Sequence, residues 1–291
     1  MNFINPKTDF AFKKIFGSEQ SKDILISFLN SILSENRPAI QDLEILDPYQ
    51  APRIRGVKDT YLDIKAVLSD NTTVIIEMQV LNVEGFEKRI LYNAAKSYSI
   101  QLDLGEGYTL LNPVIALTIT DFEMFPEISR PISRFVLKER DYLVDYISDD
   151  LELVFVELPK FNLELDQLST LSDKWLYFIK NARLLHEIPA NLQEVPELEK
   201  AFEIADRVNL SREELEDLEK REIYIHDQRN IIKKALQQGL EQGLEQGREE
   251  GRRSSQIAIA RQLIGILDKE IISQTTGLSV EEIRSLLNPE T

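Results

Sequence analysis

The sequence predicts an α/β chain, with a mixed sheet flanked by helices, followed by a helical region and a helical C-terminal tail. Three observations carry this. Residues 61–68 (YLDIKAVL) and 73–80 (TVIIEMQV) are β-rich runs about a Ser69-Asp70-Asn71-Thr72 turn, which is a hairpin signal. Residues 113–120 (PVIALTIT) and 151–158 (LELVFVEL) are apolar runs of strand length, as expected of strands buried on both faces. Between the hairpin and the first of these runs, residues 85–103 form a helix candidate bounded by Gly85 and Gly105. Helices interleaved with strands pack on the faces of a mixed sheet.

The elements follow in order. Residues 8–34 read as two short helices, with Phe12, Ile15 and Phe16 on one apolar stripe and Ile24, Leu25, Phe28, Leu29 and Ile32 on another. Gly17-Ser18 separates them and Pro38 closes the region. After the sheet, residues 164–229 read as wholly helical, charged, with Trp175 in the core and Pro189 and Pro196 as breaks. A low-complexity segment then places Gly239, Gly243, Gly247 and Gly251 every four residues. Glycine costs a helix interior about 1 kcal/mol relative to alanine. Two readings fit: a flexible charged linker, or a helix that needs a partner because glycines four apart let two backbones approach closely. The tail holds two short helical stretches around Thr276–Ser279, with Ser279 and Glu282 in a capping-box pattern. The expected organisation is a domain over 1–160, a helical region over 161–229 and a tail over 230–291.

Composition bounds the function. The 291 residues contain no cysteine, so disulfides and thiolate metal sites are excluded. The N-terminus shows no basic flank followed by an apolar stretch, and no apolar run is long enough to span a bilayer. The expectation is a soluble cytoplasmic protein without membrane contact. The net charge of −16 argues against nucleic acid as a partner. Residues 131–229 alone carry ten of those sixteen charges, which leaves the N-terminal part and the tail free to present local basic surface. His186 and His226 are forty residues apart in charged helical stretches and read as surface residues. No phosphate-binding or dinucleotide glycine motif is present.

The hairpin carries the chemistry. Alternation sets Tyr61, Asp63, Lys65 and Val67 on one face and Leu62, Ile64, Ala66 and Leu68 on the other. On the second strand Ile75, Glu77 and Gln79 oppose Val74, Ile76, Met78 and Val80. Folding about residues 69–72 sets Asp63 nearly opposite Glu77 or Gln79. Two carboxylates at cross-strand range repel unless a positive group lies between them. A divalent cation resolves the conflict, since hard cations take carboxylate oxygens. Lys65 is the non-metal alternative, and two acids on a solvated sheet face are the plain one. The apolar flanks of Glu77 count against the plain reading, because a charge inside such a run needs a partner.

Asp63, a hairpin turn and Glu77-Met78-Gln79 together resemble the D…(D/E)-x-K signature of PD-(D/E)XK nucleases. The opening Lys7-Thr8-Asp9-Phe10-Ala11-Phe12-Lys13-Lys14-Ile15-Phe16-Gly17 is similar to the first helix of the transposase-like branch, associated with recombination-promoting nucleases. Phe86, Arg89 and Tyr92 follow as in its second motif and helix, and the Glu-Gln-Gly repeat resembles its C-terminal extension. The resemblance covers about residues 1–160, and the tail in style. It implies a restriction-endonuclease-like fold and a Mg2+- or Mn2+-dependent DNA endonuclease linked to recombination or mobile elements. Asp63, Glu77 and a backbone carbonyl such as that of Met78 are then the metal ligands, with Asp9 as a further acid. Asp9 also fits an ordinary first-turn acid at a helix N-terminus.

Gln79 stands where the wider group has lysine. Glutamine supplies no positive charge. Lys65, Lys58 and Lys13, in that order, are the candidate replacements. Without one, the chain reads as an inactive nuclease-fold protein that binds DNA or protein. Arg89, Tyr92 and Lys96 share a helix face and are either phosphate contacts or a solvated rim. The tail predicts homo-oligomers through its helices.

Overall fold

The computed structural model describes residues 1–33, 39–50, 60–146 and 150–287. Pro38 and Lys58 lie outside the described residues. The chain divides into two compact units, Met1–Ile225 and His226–Thr291.

The first unit is built on a six-stranded sheet. Its strands are β1 (Leu43–Leu46), β4 (Ile64–Leu68), β5 (Thr73–Gln79), β6 (Val114–Thr120), β8 (Leu151–Glu157) and β7 (Ile132–Phe135), in that spatial order. β2 (Tyr49–Gln50) and β3 (Thr60–Tyr61) form a separate two-stranded ribbon. β4 pairs antiparallel with β1 and β5, whereas β5, β6 and β8 run parallel. Helix α3 (Phe86–Ser99) makes the crossover between β5 and β6, as a parallel pair requires. All seven side chains of β6 are buried, which accounts for its unbroken apolar sequence.

Helices cover both faces. On one, Ile64, Ala66, Val74, Ile76, Met78, Leu117 and Val156 pack against α1 (Asp9–Phe16), α2 (Lys22–Leu33), α4 (Leu171–Asn181) and α6 (Pro196–Ala205). Trp175 is the hub there: its ring centroid lies 5.7 to 5.9 Å from those of Phe16, Phe28 and Phe178, and its indole N–H donates to Ser27 Oγ at 3.2 Å. On the other face Ile75 and Ala116 meet Ala94 of α3. Both apolar stripes predicted for residues 8–34 are buried.

Three local expectations need correction. The first hairpin strand does not run from 61 to 68. It breaks at Leu62-Asp63, and Leu62 packs with Ile75 and Ala94 rather than with Ile64 and Ala66. The bend frees the Asp63 carboxylate to accept from the backbone N–H of Met78, which a regular strand does not permit. Residues 164–229 are not wholly helical. A short α5 (Ala190–Gln193), α6 and 3₁₀ turns interrupt them, and Pro196 opens α6 instead of breaking a helix, its missing N–H being no loss at the first helical position. Lys96, predicted to share a phosphate-facing edge with Arg89 and Tyr92, is buried.

Helix α7 (Arg212–Leu263) runs unbroken through all four spaced glycines, so the segment is helical and not a coil linker. A Cβ added at Gly239, Gly243, Gly247 or Gly251 meets nothing within 4 Å, and Leu236, Leu240 and Leu244 are exposed. In the second unit α8 (Lys269–Thr276) and α9 (Val280–Leu287) close a small core of Ala260, Ile272, Leu278 and Ile283. The capping box is present: Ser279 N–H donates to Glu282 Oε2 at 2.7 Å and Glu282 N–H to Ser279 Oγ at 3.2 Å.

Candidate active site

The ends of β4, β5 and α3 enclose a cavity of about 1070 Å3. Asp9, Asp63, Glu77, Gln79, Arg89 and Tyr92 all line it, so six residues singled out in the sequence converge. The ladder explains this. Ile64 faces Ile76 across β4 and β5, and one step beyond, Asp63 Oδ2 takes the Met78 N–H at 2.8 Å. Glu77 sits on the face of β5 that looks toward α3. There Asn93 Nδ2 donates to Glu77 Oε1 at 2.6 Å, and Arg89 approaches Oε2 at 3.8 Å. Arg89 also donates to Gln79 Oε1 at 2.7 Å, and Gln79 Nε2 donates to the Leu81 carbonyl.

Helix α1 supplies a third acid and a lysine. Thr8 caps its N-terminus, accepting from Ala11 N–H at 3.3 Å. Asp9 is therefore a first-turn acid, but its oxygens are taken by cations. Lys13 Nζ lies 2.8 Å from Asp9 Oδ1 and 3.3 Å from Asp63 Oδ1, and Arg221 of α7 reaches Asp9 Oδ2 at 2.5 Å. Lys65 sits elsewhere: it pairs with Ile75 and Leu46 across the sheet, and Asp47 is the charge that acts on it.

Burial dominates the electrostatics. The side chains of Asp63 and Glu77 are 17% and 13% exposed. Burial, and then the proton shared with Asp9, push Asp63 up to about 7, against the opposing pull of the Met78 N–H and Lys13. Burial also raises Glu77, with Arg89 and Asn93 pulling the other way. For Asp9 burial acts upward, but hydrogen bonding with Asp63, Lys13 and Arg221 outweighs it and holds the group at about 2. Lys13 is held above the usual lysine range because Asp9 and Asp63 outweigh its own desolvation. Two carboxylates strained toward their protonated forms in one cavity mark a place where a further positive charge is favourable.

The donor set fits a hard divalent ion. Mg2+ is commonly held by one or two carboxylates, with water and phosphate oxygens completing the shell. Among the described residues no group of three His, Cys, Asp or Glu side chains is arranged to hold a metal. Sequence reasoning missed Asn93, Lys88 and Arg221. Lys88 and Asn93 line the cavity from α3, and helical spacing was a signal for both, Asn93 four residues after Arg89 and Lys88 four before Tyr92. Arg221 meets Asp9 across 212 residues of chain, and no local pattern announces it.

A mixed sheet covered by helices, with an Asp beside one strand and Glu-x-Gln on its neighbour lining one cavity, is the arrangement of the PD-(D/E)XK fold. Residues 6–235 match the family described as PD-(D/E)XK nuclease family transposase, and the chain belongs to that family. The family assignment makes the protein nuclease-like. Neither a curated protein nor a solved structure matches the chain. Among the described residues no helix is long and apolar enough to cross a membrane.

Proposed function

We propose that this protein is a Mg2+- or Mn2+-dependent DNA endonuclease, cytoplasmic, and linked to recombination or mobile elements. The observation that supports it is the placement of Asp63 and Glu77 in one cavity, both raised by burial. In this reading Asp63, Glu77 and the Met78 carbonyl hold the ion. When bound, a divalent ion stabilises charge on the attacked phosphate and lowers the pKa of water.

The chain's own residues do the rest. Lys13 provides the positive charge that Gln79 lacks, and its ammonium already rests against Asp63. Arg89 and Tyr92 receive the substrate backbone at the rim, and Lys58 and Lys65 are further basic contacts. Gln79 acts through Arg89, holding the guanidinium beside Glu77. Asp9 keeps Lys13 in place. The glycine-spaced helix joins two copies of the chain.

Plasmid nicking with Mg2+ tests the reading. Wild type is expected to nick, and Asp63→Ala and Glu77→Ala to fall to background; equal cleavage by all three removes it. One observation favours a second reading, a non-catalytic DNA- or protein-interaction module: Lys13 and Arg89 already stand against the two acids. Calorimetry showing no Mg2+ or Mn2+ binding near neutral pH selects that alternative.

A further inference from the structure

The buried amide of Asn93 is half used. Its side chain is 2% exposed and lines the cavity that holds Asp63 and Glu77. Its nitrogen donates to Glu77 Oε1 at 2.6 Å. Its oxygen, Oδ1, is buried and has no hydrogen-bond partner among the described residues. An acceptor buried without a donor is costly and calls for a physical reason. Turning the amide over does not help, because it sets the carbonyl against a carboxylate oxygen and leaves the nitrogen without its acceptor. The Glu77 contact fixes the orientation and keeps Oδ1 where it is.

A cation is able to satisfy such an atom. Amide carbonyl oxygens are ordinary ligands of hard divalent ions. Among the described residues no three acids are arranged to hold a metal, and Asp9, the third acid lining the cavity, is held by Lys13 and Arg221. We infer that Asn93 Oδ1 is a further side-chain oxygen for the divalent ion, while Asn93 Nδ2 positions Glu77 for the same ion. The inference rests on the metal-dependent reading above. It assigns Asn93 two functions, one for each end of the amide.

The two ends can be separated. Asn93→Ala removes both. Asn93→Asp removes the donor to Glu77 but keeps an oxygen at the Oδ1 position. Mn2+ binding by calorimetry on the full chain at pH 8 is the readout. Unchanged Trp175 emission in EDTA shows that each variant is folded. Asn93→Ala is expected to weaken Mn2+ binding by about 10- to 100-fold, and Asn93→Asp, which loses only the donor to Glu77, to bind more tightly than Asn93→Ala. If Asn93 serves only as a donor to Glu77, Asn93→Asp binds no better than Asn93→Ala, and that result overturns the inference. Asn93→Ala binding within threefold of wild type overturns it too. In both outcomes wild type still binds, so the metal-dependent reading stands. Wild type without Mn2+ binding removes the reading and the inference together.

Discussion

Replacing Asp63 by asparagine should make the metal-free protein more stable at pH 8, and only slightly more stable at pH 5. The carboxyl rises from 3.8 to about 7 on folding. Between those values the folded chain keeps a proton that the unfolded chain has released. Stability therefore falls as pH climbs through the window and levels off above it. About three units at 1.36 kcal/mol each give roughly 4 kcal/mol of penalty at pH 8. About one unit, roughly 1 to 2 kcal/mol, is already present at pH 5. Asparagine still accepts the Met78 N–H but gives up the contact with Lys13. That loss offsets part of the gain at both pH values, leaving a difference between them on the order of 2 kcal/mol. Asp9, held at about 2, titrates below this window with the opposite sign and does not blur it. Trp175, the single tryptophan and fully buried in the first unit, reports unfolding in urea with EDTA present. Adding Mn2+ should then invert the order, stabilising wild type and leaving Asp63→Asn unmoved. If Asp63→Asn loses the same stability at both pH values, the carboxylate is not strained and the electrostatic account is wrong.

The source of positive charge is separable: Lys13→Met should lower plasmid nicking by about 100-fold or more, while Lys65→Met stays within threefold of wild type. Arg221→Ala takes one of two cations from Asp9; because a depressed acid stabilises above its unfolded pKa, the variant should unfold at higher pH during acid titration. Gly243→Ala with Gly247→Ala should raise helicity by circular dichroism, about 1 kcal/mol per site in a lone helix, yet weaken self-association seen by sedimentation. Light scattering that gives a monomer for both the full chain and a 1–229 truncation rejects assembly through the tail.

What could be read in advance followed from strength of pattern. The runs at 113–120 and 151–158 became β6 and β8 because strands buried on both faces leave an unbroken apolar signature. The four-residue strands β1 and β7 were missed. Ile132-Ser133-Arg134-Phe135 mixes polar and apolar residues too briefly to show a period, and Leu43–Leu46 is equally short. Each lies at a sheet edge, where only one neighbour constrains it. That Asp63 and Glu77 would come near each other was legible because a hairpin sets its own register. The bend at Asp63 was not, since Leu62 is as apolar as Ile64 and nothing in the residue types says that it turns to the other face.

The same limit bears on the lysines. Lys65 lies two along the strand from Asp63, and Lys13 on a different element. Side chains two apart on a strand share a face, but they stand about 6.6 Å apart along it, and the charge that acts on Lys65 is that of Asp47. Lys13 comes from a helix packed across the sheet, through contacts that only tertiary structure makes. Its ammonium takes both Asp9 and Asp63, and Asp9 in turn is anchored by Arg221. A glutamine at position 79 is then physically reasonable. With Lys13 already beside Asp63, a second lysine on β5 would face Arg89 at the Glu77 end of the cavity, and two cations there would repel. Glutamine holds Arg89 by accepting its hydrogen bond without adding a charge. Lysine cannot accept, so Gln79→Lys in the wild-type background should lose the Arg89 contact, lower the affinity for Mn2+ and fail to raise nicking. A rise in nicking for Gln79→Lys would mean that Lys13 does not fill the vacant role.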